Sequence, residues 1–143
     1  MPTPEPVILS DRVRRFLEEP HFASLATVGP TGAPNQAVVW YRLEPDGRVL
    51  INSRDGRRWP ANLRRDPRAN LAVFWKVDPN RWVGLTGVVD EVVDDVEQAR
   101  DDIVALAGRY EEGSPATITR FRGEPRVTFL LRVTNVHDHL EDD

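Results

Sequence analysis

The residues best suited to chemistry fall in one run, positions 50–68, LINSRDGRRWPANLRRDPR. The apolar segment Val49-Leu50-Ile51 leads into a polar turn, Asn52-Ser53-Arg54-Asp55-Gly56. Arg57 and Arg58 follow just ahead of Pro60, a residue suited to the first position of a helix. Strand, polar turn and helix start, with guanidinium groups at the junction, predict an anion site. Free backbone N–H groups, the helix dipole and fixed arginine charge all favour a phosphate there. The competing reading is a solvated basic helix, and on charge alone it is the plainer one.

Other chemistry finds little support. There is no Walker-type loop and no GxGxxG fingerprint, and VGPTGAP (28–34) reads as a hairpin turn. His137 and His139 share a strand face, but with no third ligand in view a metal site is not predicted. His21, after Pro20, reads as structural, and Ser24, Thr27 and Ser53 have no base beside them. Asp90, Glu91, Asp94 and Asp95 read as outward strand residues and a helix start rather than a metal cluster. No catalytic side chain is assigned, so a cofactor would have to carry any reaction.

The elements that position the basic run are legible in outline. Ser10 caps a helix over 11–19 with Val13, Phe16 and Leu17 on one face. Strands are expected at 21–28, 35–43 and 49–52, forming an antiparallel meander through the turns GPTGAP and Glu44-Pro45-Asp46-Gly47. A short helix over 60–65 ends at Asp66-Pro67, and the apolar run 69–76 is a central strand. The long strand 81–93 holds Gly84 and Gly87, which predict a bend or bulge. Asp95 with Gln98 predicts a capping box opening a helix that stops near Gly113, and a loop then leads to a last strand at 126–136. The fold class is mainly β, a six-stranded antiparallel barrel with about three peripheral helices. One domain is expected over 1–143, with a loose arm at 1–9 and a frayed acidic tail at 137–143.

Composition sets the outer bounds. Of 143 residues 40% are apolar and 29% charged, which suits a globular chain. The net charge of −4 argues against a general nucleic-acid binder, and no stretch has the apolar length of a membrane span. With no cysteine, disulfides and thiolate sites are excluded, and a cytoplasmic protein is expected. Trp40, Tyr41, Trp75 and Trp82 are either core or the lining of a groove for a flat ring system.

Four stretches, FASLATVGPTGAPNQAVVWYRLEPDG (22–47), VLINSRDGRRWPANLRRDPRANLAV (49–73), WVGLTGVVDEVVDD (82–95) and RVTFLLRV (126–133), resemble the pyridoxamine 5'-phosphate oxidase-like split barrels. Within them the chain resembles the branch of F420-dependent oxidoreductases, with Ala26-Thr27, Gly32, Pro34 and Val39-Trp40 matching a pattern of that branch. The resemblance implies a six-stranded split barrel, usually a homodimer with two cofactor sites at the interface. It implies that Arg57 and Arg58 meet a cofactor phosphate, that Asn52 and Ser53 lie at its approach, and that Val38, Val39 and Trp40 border the flavin or deazaflavin ring. The cofactor so implied is F420, with FMN as the alternative. The implied activity is hydride transfer to a small unsaturated or quinone-like organic substrate, and a non-catalytic flavin, F420 or haem binder is the rival. One departure stands out: Trp59 occupies the place of a usual lysine, putting a bulky ring at the pocket mouth. Either Arg58 replaces the ammonium, or Trp59 fills the site and another ligand, or none, is bound.

Overall fold

The protein, a computed structural model describing residues 7–140, is built on one antiparallel sheet. In chain order the elements are α1 (Asp11–Glu18), β1 (Phe22–Val28), β2 (Pro34–Val39), β3 (Arg42–Leu43), β4 (Val49–Arg54) and α2 (Arg58–Arg65). β5 (Arg68–Phe74), β6 (Trp82–Val93), α3 (Val96–Arg109), α4 (Pro115–Arg122) and β7 (Arg126–His139) follow. The sheet order is β2-β1-β5-β6-β7-β4-β3. Its two edge strands are therefore consecutive in the chain, joined only by Trp40 and Tyr41. So short a link reaches about 10 Å, which forces the sheet to curl until its edges approach each other. The result is a split barrel.

Seven strands stand where six are expected, because the strand expected at 35–43 is broken at that link. Val39 still pairs with Ala23 on β1, whereas Arg42 pairs with Leu50 on β4. The expected meander survives as two hairpins at opposite ends of the sheet. Tyr41 causes the break by turning fully into the core, where its hydroxyl donates to the Leu17 and Glu19 carbonyls. Trp40 turns outward and stacks on Tyr110 at 5.2 Å.

Alternation sets the core. Ala23 and Leu25 of β1, Leu71 and Val73 of β5, Val83 and Leu85 of β6, and Phe129 and Leu131 of β7 point inward and are wholly buried. On β4 and β7 the opposite face is buried too, since Leu50 and Leu130 pack under Ile103, Leu106 and Phe121 of α3 and α4. The bend expected in β6 falls at Gly87, where the register against β7 shifts. A Cβ at Gly87 would lie 2.4 Å from the Arg132 carbonyl oxygen, so only glycine permits this approach.

Three differences in extent matter. The loop expected before β7 contains α4, capped by the Ser114 hydroxyl and opened by Pro115. The capping box at α3 is half formed: Asp95 accepts from the Glu97 and Gln98 N–H groups, but the Gln98 side chain reaches forward to Asp102. β7 continues through His139, pairing His137 with Gly84 and His139 with Trp82, so the strand extends into the expected tail and Leu140 is buried behind it. Of the expected arm, Val7 donates to the Val133 carbonyl and Leu9 is buried. Positions 1–6 and 141–143 lie outside the described residues. Among the described residues no helix is long and apolar enough to cross a membrane.

Candidate functional site

The turn after β4 is shaped by Gly56, whose φ of +94° suits a residue without a Cβ. The Asp55 N–H donates to the Pro125 carbonyl at 2.7 Å, tying this turn to the segment that leads into β7. α2 then starts with Arg57 at its N-cap position and no side-chain cap, which leaves its first N–H groups available to a ligand. Asn62 anchors the helix. Its Nδ2 donates to Thr27 Oγ1 and Asn35 Oδ1, both at 3.0 Å, so the α2 N-terminus is held against β1 and β2. The later arginines of the run are structural: Arg64 pairs with Asp55 and Asp94, and Arg68 with Asp66. The Arg48 guanidinium pairs with Asp90 and Glu91, so these carboxylates are partners of arginine; no metal-holding cluster exists among the described residues.

Beside the α2 N-terminus lies a cleft of about 500 Å³. Seven of the eight residues expected at the site line it: Val38, Val39, Trp40, Asn52, Ser53, Arg57 and Trp59. Arg58 does not, and faces an adjoining hollow of about 360 Å³ along β2. Trp59 is also not at the mouth. It is only 9% exposed and packs its ring against Phe129 at 5.6 Å, because the inner face of α2 carries Trp59, Pro60 and Leu63 into the core. Tyr41 is in the core, Trp75 lines a separate cavity of about 400 Å³, and Trp82 stacks on His137 and His139. The four aromatics considered for a single groove are therefore dispersed, and only Trp40 reaches the cleft.

The cleft has a wall that sequence reasoning missed. Arg120 and Phe121 of α4, Glu124, and Arg126 at the start of β7 complete it. With Arg54 and Arg57, four guanidinium groups line the cleft against one carboxylate, Glu124, which is 3.0 Å from Arg126 Nη1. Arg54, Arg57 and Arg120 form no ion pair among the described residues. Burial pulls the Arg126 guanidinium below its ordinary value; Glu124 opposes this, while Arg57 and Arg120 add to it. Guanidinium stays charged regardless. Positive charge concentrated here, on a chain of net charge −4, suits an anionic ligand. Ser114-Pro115 is a helix-start signal for α4 inside the segment expected as a loop, but nothing local marks Arg120 or Arg126 as cleft residues.

The fit to a ring-and-phosphate cofactor is good on these grounds. The surplus guanidinium charge and the open α2 N-terminus suit phosphate, and Phe22, Trp40 and the exposed edge at Val38 offer flat surface beside it. No histidine lines the cleft; His21 lines the neighbouring cavity.

Comparison with known proteins gives a consistent picture. A family model described as pyridoxamine 5'-phosphate oxidase matches residues 9–139. The F420H(2)-dependent biliverdin reductase of Mycobacterium tuberculosis (strain CDC 1551 / Oshkosh) is 31% identical over 108 residues, covering 75% of this chain and 76% of that protein. Among solved structures, one described as an F420 reductase superposes with a TM-score of 0.74 at 22% identity, covering 90% of this chain and 98% of the other. The haem-storage protein HutZ of Vibrio cholerae superposes with a TM-score of 0.69 at 18% identity, covering 92% and 95%. At those identities the structural matches speak for the fold alone.

Proposed function

The chain belongs to the pyridoxamine 5'-phosphate oxidase family, and on that footing we propose that it is an oxidoreductase holding deazaflavin F420 in the arginine-lined cleft. Its reaction is hydride transfer to a small unsaturated or quinone-like organic acceptor. The observation that carries this reading is the charge of the cleft, four guanidinium groups against one carboxylate. Arg57 and the α2 N-terminus take the cofactor phosphate, and Val38, Val39 and Trp40 border the ring. FMN offers the same ring-and-phosphate arrangement and is the alternative. The surplus arginines favour F420, whose longer anionic tail uses them, and so does the F420H(2)-dependent relative.

Bound in reduced form, the cofactor supplies the hydride. The protein orients it, keeps charge fixed around its anionic end and excludes water from the ring face. No side-chain acid is assigned, because the one carboxylate lining the cleft, Glu124, is engaged by Arg126; solvent supplies the proton. The proposal includes a homodimer: β2 is an edge strand with Val38 73% exposed beside the cleft, and a second copy covering that edge closes the site.

A second reading, a non-catalytic binder of flavin, deazaflavin or haem, draws on the lack of an acid–base pair in the cleft. Haem is the weakest of these ligands here, since no histidine stands in the cleft to ligate iron. Titration of the protein with F420, FMN and haem, followed by turnover on an acceptor panel that includes biliverdin, separates the readings. F420 binding with acceptor reduction is expected. Binding without reduction of any acceptor removes the enzyme, and binding of none of the three removes both readings.

A further inference from the structure

Asn52 lines the cleft, yet its side chain is committed elsewhere. Its Nδ2 donates to the Ala99 carbonyl and to Thr128 Oγ1, both at 2.8 Å, and its Oδ1 accepts from Arg126 Nε at 3.0 Å. The amide cannot be turned over, because the Ala99 carbonyl can only accept and the Arg126 Nε–H can only donate. The Thr128 hydroxyl, having accepted from Asn52, donates to Asp102 Oδ2 at 2.8 Å. Asp102 Oδ1 accepts from Gln98 Nε2 at 3.0 Å. All four of Asp102, Thr128, Asn52 and Arg126 are buried, and each bond leaves one direction for the next. A buried carboxylate on the inner face of α3 thus ends, through two neutral side chains, at a cleft guanidinium.

That guanidinium is held on three sides. Nε is on Asn52, Nη1 is on Glu124, and the Phe121 ring lies 5.0 Å from Cζ. Nη2 donates to none of the described residues, and it is not among the buried nitrogens sealed from solvent. It is the nitrogen of Arg126, a residue lining the cleft, that is left for a ligand.

We propose that Asn52 is a positioning residue: the Asp102–Thr128 pair locks its amide, and the amide aims Arg126 Nη2 at an anionic oxygen, phosphate or carboxylate, of the bound ligand. This rests on the anion-binding reading of the cleft and changes the part Asn52 plays in it, from ligand contact to support of the contact. Thr128 and Asp102 support the ligand without touching it. A purely structural network would tie α3 to β4 and β7 and leave ligand binding unaffected once the protein is folded.

The test is a double-variant cycle read on binding. Thr128→Val keeps side-chain size but breaks the link between Asn52 and Asp102; Arg126→Lys keeps the charge but loses the fork. Thr128→Val is expected to weaken F420 binding about ten-fold, the scale of one misplaced hydrogen bond to a charged group. In the Arg126→Lys background the same change should cost less than two-fold. Equal losses in both backgrounds, or an affinity for Thr128→Val within two-fold of the parent, overturn the proposal. Inorganic pyrophosphate titrated in parallel, with heteronuclear NMR of the Arg126 Nε–H, keeps the relay separate from the cofactor. The Nε–H should exchange slowly with water in the parent protein and rapidly in Thr128→Val. If F420 does not bind but pyrophosphate does, with that exchange contrast, only the cofactor reading fails. Slow exchange in both proteins, or binding of neither F420 nor pyrophosphate by the parent, overturns the relay itself.

Discussion

Replacing Trp59 by alanine asks whether this ring belongs to the core or to the ligand site. The ring is 9% exposed, tilted 54° against Phe129, and part of the main hydrophobic cluster. A buried tryptophan removes about 150–250 Å² of surface from water. At about 25 cal/mol per Å² this gives an upper bound of roughly 4–6 kcal/mol. Because neighbours relax only partly into the cavity, truncation of such a residue costs about 3–5 kcal/mol. Trp59→Ala should therefore lower the ligand-free unfolding free energy by about 3–5 kcal/mol in urea, with a fall in Tm of roughly 6–20 °C. Trp59→Phe, which keeps a ring against Phe129, should lose less than half as much. Trp59→Lys, which restores the residue type of the family pattern, should be destabilised nearly as strongly as alanine, since it removes the ring and brings a charge to a buried position. A loss below about 1 kcal/mol in Trp59→Ala, accompanied by loss of F420 binding, would refute the core assignment and make Trp59 a cofactor wall.

Arg57→Ala should weaken F420 binding by about ten-fold, leave the ligand-free melting curve unchanged, and show a smaller effect at high salt, because Arg57 is exposed and screened; equal affinity of variant and parent excludes Arg57 from the site. Burial holds the His21 imidazole below its ordinary pKa, with Glu19 opposing and Arg109 adding to the shift. The unfolded chain therefore takes up that proton at about pH 6.5 while the folded chain resists it, so the stability of the parent relative to His21→Phe should fall as pH drops below about 6.5; a difference constant from pH 8 to pH 5 would contradict this. Gly87→Ala should cost about 2–3 kcal/mol, its Cβ facing the Arg132 carbonyl oxygen at 2.4 Å. Gly108→Ala in α3, with no neighbouring atom within 4 Å, should instead add about 0.5–1 kcal/mol. Urea melts of the two variants check the contrast.

Local chemistry made much of the fold readable. The Ser10 cap, the Pro67 stop after α2, and the bulge signalled by glycine in β6 each depend on residues close in the chain, and each is found. The break at Trp40–Tyr41 was not readable, because nothing in VVWYRL distinguishes one long strand from two short ones until the barrel's edges must meet. The depth of Trp59, which lines the cleft from within the core, was not readable for a related reason. Its depth depends on how α2 leans on Phe129 of β7, 70 positions further along the chain.

The sequence by itself determined that a strand, a polar turn and a helix N-terminus meet at Asn52–Arg58 with arginines at the junction, because strand, turn and helix-start signals are all short-range. Only the tertiary structure decided which arginines share a cleft. Closing the barrel sets β7 beside β4 and brings Arg126 to Asn52 across 74 residues, and α4 brings Arg120 and Phe121 to the same wall. It turned Arg58 aside and made Asn52 a support for Arg126. Charge is written residue by residue, but which charges converge depends on the strand pairing, and that is set by burying one face of every strand at once.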